Sequence, residues 1–225
     1  MIMKKMTSLS TPTFVEKLAD NLSTQSALTV VSALSGGPLA ALLPVLATTL
    51  ASGRQRQRVE EALVLIDKTL QEHASFLQSI SDAQYKLVNE SILAVLHTTS
   101  KEKLGYLRRV VQNTITSGSF LQSEADILSR VIRDISAEEV EFILLNFKFD
   151  QIQLVSKLSE HPSHILQLLI GSPEGIIVPG LISLGILVSA GGSYEELGTV
   201  RFMPITAKLI VLLRNDSQSF SSENL

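Results

Sequence analysis

From Asn21 to Gly53 the chain carries no Asp, Glu, Lys or Arg, and this charge-free stretch constrains the fold more than any other feature. Residues 22–35 (LSTQSALTVVSALS) and 38–52 (PLAALLPVLATTLAS) form two apolar arms around Gly36-Gly37-Pro38. Two glycines supply a turn, and a proline suits the first position of a helix, so the local expectation is a helical hairpin. A helix rises about 1.5 Å per residue, so each arm reaches roughly 21 Å, against a bilayer core about 30 Å thick. Neither arm spans a membrane alone. A single helix from Ala27 to Ala51 would hold two glycines, Pro38 and Pro44 in its interior, where a proline costs about 3 kcal/mol. Two placements remain open: a re-entrant or interfacial hairpin, or a buried pair of core helices. Leu28, Val31, Leu39, Leu42, Leu43 and Leu46 are the residues expected to meet lipid or a partner in either placement.

Charge returns abruptly on both flanks. Arg54, Arg56 and Arg58 follow the stretch directly, and Lys4, Lys5 and Lys17 precede it. Cations on both sides would hold both ends of a re-entrant hairpin on the cytoplasmic face, where the arginines could meet lipid phosphates. The alternative is a solvated helix start, with Glu60 and Glu61 cancelling part of the charge. No apolar core follows Lys4 and Lys5 directly, so a secretory signal is not expected.

Ser10 or Thr11 before Pro12, with Phe14, Leu18 and Leu22 at four-residue spacing, predicts a short amphipathic helix leading into the hairpin. After Gly53, the residues Val59, Leu63, Ile66, Leu70, Leu77 and Ile80 mark one face of a long helix interrupted at His73. Helix starts then recur. Ser81-Asp82-Ala83-Gln84, Thr99-Ser100-Lys101-Glu102 and Ser136-Ala137-Glu138-Glu139 read as capping boxes, and Ser123 as a cap for EADILSRVIRDI. KFDQIQLVSKLSEH mixes strand-like alternation with helical spacing and fixes neither. PSHILQLLIG, the apolar EGIIVPGLISLGILVSA, a Gly191-Gly192 turn, the β-compatible VRFM and PITAKLIVLLR then read in the order helix, helix, short strand, turn, strand, helix. That is the order of a winged-helix module. The expected class is mostly α, with four regions: 1–53 amphipathic helix and hairpin, 54–135 helical bundle, 136–214 winged-helix-like domain, and 215–225 a disordered polar tail.

Function classes are narrowed mainly by what the residues cannot do. Cysteine is absent, which removes disulfides and thiol chemistry and suits the cytosol. His161 and His164 stand at i, i+3 with no cysteine nearby and no carboxylate partner beyond Glu160, and no phosphate-binding glycine loop or nucleophile elbow occurs. No catalytic, cofactor or metal residue is therefore assigned, and the chain is not expected to be an enzyme. Residues Ile176 to Val188, at the position of a DNA-reading helix, contain no Arg, Lys, Asn or Gln, and residues 136–225 hold 5 basic against 10 acidic side chains. Sequence-specific DNA binding is not expected. Lys101, Lys103, Arg108 and Arg109 read as a solvated basic face. Small residues in the hairpin (Ala33, Ser35, Gly36, Gly37, Ala40, Ala41) permit close helix approach, so a homo-oligomer is expected, with a protein partner and the inner membrane as further candidates.

The segment KEKLGYLRRVVQNTI, then ILSRVIRDISAEEVEFI, then GLISLGILV to PITAKLIVLL resembles the bacterial Abi-alpha-like abortive-infection proteins over roughly residues 90–213. The likeness is one of architecture and rests on no catalytic motif, and the N-terminal third departs from the family pattern. It implies a role in phage defence and transfers no functional residue. The expected function is that of a non-enzymatic defence or toxin-type effector with a membrane-active hairpin. The alternative is an adaptor or regulator using its winged-helix-like domain to hold a protein.

Overall fold

A computed structural model describes residues 53–160, 162–190 and 198–214. The hairpin and its expected contact residues Leu28 to Leu46, the helix before it and the polar tail lie outside these. The chain divides into two units, Met1–Ile80 and Ser81–Leu225; the sequence reading places its boundaries after 53 and after 135.

In the first unit, α1 (Gly53–Glu72) is followed by a single turn at His73 and by α2 (Ala74–Leu77). Val59, Leu63, Ile66 and Leu70 are buried at the expected spacing. The stripe weakens after His73: Leu77 and Ile80 are only half-buried. His73 accepts the Phe76 amide on its carbonyl and sets its ring edge-on to the Phe76 ring, 6.0 Å away. The histidine marks the helix break.

The second unit starts with four helices, α3 (Asp82–His97), α4 (Lys101–Thr116), α5 (Gln122–Asp134) and α6 (Ala137–Asn146). Ser81 and Gln84 close the expected box on α3, as do Ser136 and Glu139 on α6. Two expected starts shift. Ser100 caps α4 in place of Thr99, with its hydroxyl accepting the Lys103 amide and donating to Glu102. Leu121 stands at the start of α5 in place of Ser123, because Glu124 reaches back to accept the Leu121 amide at 3.0 Å. A carboxylate at the third helical position suffices for that donor, and Ser123 falls within the first turn. Helices α3 and α4 run antiparallel, with the Gln84 side-chain Nε2 at the start of α3 donating to the Thr114 and Ser117 carbonyls at the end of α4.

A mixed four-stranded sheet completes the unit: β1 (Gln151–Val155), β2 (Ile165–Leu169), β3 (Leu187–Ser189) and β4 (Thr199–Phe202), in the order β2-β1-β4-β3. β1 pairs parallel with β2 and antiparallel with β4. The ambiguous segment from Lys148 therefore contributes a strand, and PSHILQLLIG, read from sequence as a helix, is corrected to strand β2. Its run ILQLL suits either period, and pairing with β1 decides the outcome. Between β2 and β3 lies α7 (Pro173–Ser183), and α8 (Ile205–Leu213) ends the unit. Ser172 caps α7 with Pro173 in its first turn, and Gly185, at φ +72°, ends it. The Gly185 and Ile186 amides return to the Ile182 and Leu181 carbonyls, a Schellman motif that needs a residue free to adopt positive φ. The described residues are mostly helical, with eight helices and this one small sheet.

Candidate functional site

Three surfaces were candidates for contact with something outside the chain, and the structure sorts them. At the head of α1, Arg54 and Arg58 are both exposed. Four residues apart, they share one helix face immediately after the charge-free stretch. Glu61, expected to offset this charge, accepts a hydrogen bond from Gln57 at 3.0 Å. The Arg56 side chain lies outside the described residues. Further along, Asp67 is a carboxylate buried to 8% exposure that accepts from Gln71 at 2.7 Å. Its place in the run LVLIDKTL gave no signal of this.

In the basic cluster on α4, Lys101 is exposed as expected of a solvated face, whereas Lys103, Arg108 and Arg109 are half-buried. Lys103 is half-buried and its ammonium donates to the Arg133 carbonyl at the end of α5, 2.8 Å away. A cation is favoured there by the helix C-terminus. Burial lowers the pKa of Lys103 below the ordinary lysine value, opposed by Asp134 and Glu139. Arg109 is also half-buried, with its guanidinium 4.7 Å from the centre of the Tyr106 ring. Desolvation pushes the Tyr106 phenol up, and the Arg109 charge opposes it. Beside Lys103 and Tyr106, Leu107, Val110, Ile132, Val140 and Leu213 border a small apolar cleft. Lys103 ties α4 to the end of α5, while Arg109 stacks on Tyr106 of its own helix. A helix-spacing argument sees four cations in nine residues and cannot see that the carbonyl end of α5 arrives beside one of them.

The third surface is the outer face of α7 with the adjoining end of β2. Ile176 is 66% exposed and Ile182 44%, with Ile170 at 51% just before the helix. Val178 and Leu181 on the opposite face are buried completely. Glu174 is the only charged residue in the helix. Gly180 holds α7 against α6 so closely that a β-carbon there would meet the carboxylate of Glu139, already engaged in the α6 cap. The helix is apolar all round, so its sequence could not show which side faces out.

Among the described residues no group of three or more His, Asp or Glu could hold a metal ion, and no helix is long and apolar enough to cross a membrane. His164 is exposed on the loop before β2, and its expected companion His161 lies outside the described residues. Comparison with protein-family models, curated proteins and solved structures returns no match to this chain.

Proposed function

We propose that this chain is a non-enzymatic bacterial effector of the defence or toxin type, in which the charge-free segment 21–53 acts at the inner membrane and the helical remainder is its carrier. The observation that carries the reading is the junction at Gly53. An apolar segment without charge passes directly into a helix whose first turns expose Arg54 and Arg58, placed to meet anionic headgroups. The architectural likeness to Abi-alpha-like proteins supports the same reading. A second reading is favoured by the apolar outer face of α7: a winged-helix-like adaptor that uses Ile176 and Ile182, rather than cations, to hold a protein.

One substitution separates the two. Leu42→Asp places a charge in the most apolar part of the second arm. If the segment inserts in lipid, the aspartate costs about 2.5–3.5 kcal/mol at the inserted helix centre. Flotation with phosphatidylglycerol vesicles and cellular toxicity should then both fall, while the melting temperature stays close to wild type. If the segment is core, the same change buries an unpaired charge and removes leucine packing, roughly 3–5 kcal/mol together. Aggregation or loss of the melting transition in Leu42→Asp would overturn the effector reading and leave the adaptor.

A further inference from the structure

The sheet has an edge whose free backbone groups match their own two-fold image. Among the described residues β2 is an outer strand, paired on one side only. In a parallel ladder the groups that bond the neighbouring strand come from alternate residues. The Ile170 amide donates to Val155 at 2.9 Å and the His164 carbonyl accepts from Asp150 at 2.9 Å, which fixes that phase. With the register Gln151↔Ile165 to Val155↔Leu169, the amides and carbonyls of Ile165, Gln167 and Leu169 point away from β1. Two of these six groups are satisfied locally: the Ile165 amide by the Pro162 carbonyl at 3.0 Å, and the Leu169 carbonyl by the Ser172 amide at 3.1 Å. The Ile165 carbonyl, both backbone groups of Gln167 and the Leu169 amide have no backbone partner among the described residues.

We propose that β2 pairs antiparallel with β2 of a second copy of this chain, about a two-fold axis at Gln167, to give one continuous sheet. On such an axis the Gln167 amide of each copy donates to the Gln167 carbonyl of the other. Each Leu169 amide donates to the opposite Ile165 carbonyl. All four outward groups of each strand are used, and neither locally satisfied group is asked for a second bond. An unrelated antiparallel strand would leave a carbonyl unpaired opposite the Ile165 amide and an amide unpaired opposite the Leu169 carbonyl, whereas in a second copy those two groups are the ones already satisfied locally.

Two further features fit this occupant. Exposed edges are commonly blunted by charge, proline or a bulge, and residues 165–170 (ILQLLI) contain no charge and no proline and pair in unbroken register. The strand is also held in place: the Gln167 side chain donates to Gln153 at 3.4 Å and to the Ser159 hydroxyl at 3.2 Å, and accepts the Ser159 amide at 3.0 Å. Leu169 and Ile170, exposed beside the edge, extend the contact with apolar surface. The inference stands apart from the membrane reading, since it involves only the second unit.

Because the chain has no cysteine, one introduced thiol reads the contact directly. Directly opposed residues in a hydrogen-bonded antiparallel pair have α-carbons about 5.5 Å apart, within disulfide range. Full-length Gln167→Cys, oxidised at micromolar concentration, should convert mostly to a reductant-sensitive dimer. Gln153→Cys, one strand inward on each copy and hence about 14 Å from its mate, should stay at background. Adding Leu169→Pro, which removes an outward amide, should suppress the Gln167→Cys dimer. Folded Gln167→Cys that cross-links no more than Gln153→Cys overturns the proposal, including when wild type is oligomeric through another surface or another protein occupies the edge. Should Gln167→Cys fail to fold, a mixture of Ile165→Cys and Leu169→Cys chains reads the same pairing. The two should cross-link to each other and not each to itself, and the absence of that mixed product overturns it equally.

Discussion

At the scale of single residues, Asn113 does the most that its type alone would not suggest. It lies on α4, buried to 5% exposure, and its amide nitrogen stands 3.1, 3.0 and 2.9 Å from the carbonyls of Val211, Leu212 and Arg214. The last carbonyls of a helix lack intrahelical partners, so one side chain from α4 satisfies the end of α8. Replacing it leaves buried acceptors unpaired, which costs about 1–3 kcal/mol. Asn113→Ala should therefore lower the melting temperature by several degrees, and Asn113→Asp should lower it further, since a carboxylate oxygen would face the same carbonyls. Differential scanning calorimetry of the two variants checks the order. Lys103 is the parallel case at the end of α5, where a charge that looks solvated in sequence is a helix cap in the fold.

At the scale of elements, α5 is held at both ends by charged groups from other helices. Its first turn carries Glu124, which accepts the Leu121 amide and lies 2.6 Å from the Lys208 ammonium of α8 through both carboxylate oxygens. Asp126, just past that turn, accepts from Lys86 of α3 at 2.8 Å and from Gln122 at 3.1 Å. Hydrogen bonds from Lys208 and from Lys86 are the leading reasons that both carboxyl pKa values lie below their ordinary values. A carboxyl group with a depressed folded pKa binds fewer protons folded than unfolded, so its contribution is present above the unfolded value and lost as pH falls through the folded one. Stability should therefore decline below about pH 4.5, within the ordinary carboxylate range. The decline should be shallower in a Glu124→Gln, Asp126→Asn double variant, as urea denaturation at pH 3 to 6 would show. High salt should weaken the effect, because both pairs are near the surface.

At the scale of the whole molecule, the second unit has the makings of an independent folding unit. Leu87, Ile92, Leu128, Ile132, Ile143, Ile152, Leu209 and Leu212, drawn from four helices and the sheet, are all nearly or wholly buried. The sheet is tied to the helices at Phe147 and Phe202, whose rings lie 5.4 Å apart. Residues 81–225 expressed alone should give a helical protein with one cooperative unfolding transition. Coincident far-ultraviolet dichroism and tyrosine fluorescence curves would confirm it, and a gradual, non-coincident melt would show that residues 1–80 are required. Such a fragment should also keep the Gln167→Cys cross-link, because β2 lies wholly within it.

What the sequence determined by itself was local. The helices from 54 to 147 follow from apolar spacing and from Ser-x-x-Glu/Gln boxes such as Ser136 with Glu139, whose physics is contained in four consecutive residues. The poverty of cations in α7 is legible in the same way, whereas the reading carries that helix on to Val188, past its end before Gly185. Tertiary structure decided the rest, because those outcomes depend on partners distant in the chain. ILQLL is a strand because β1 lies beside it, and Ile176 faces outward while Val178 does not because α7 packs by only one side of an apolar cylinder. Lys103 and Asn113 are caps because the carbonyl ends of other helices arrive at them, across 30 and 98 or more positions of sequence. Periodicity records which residues can share a face. Only packing decides what that face meets.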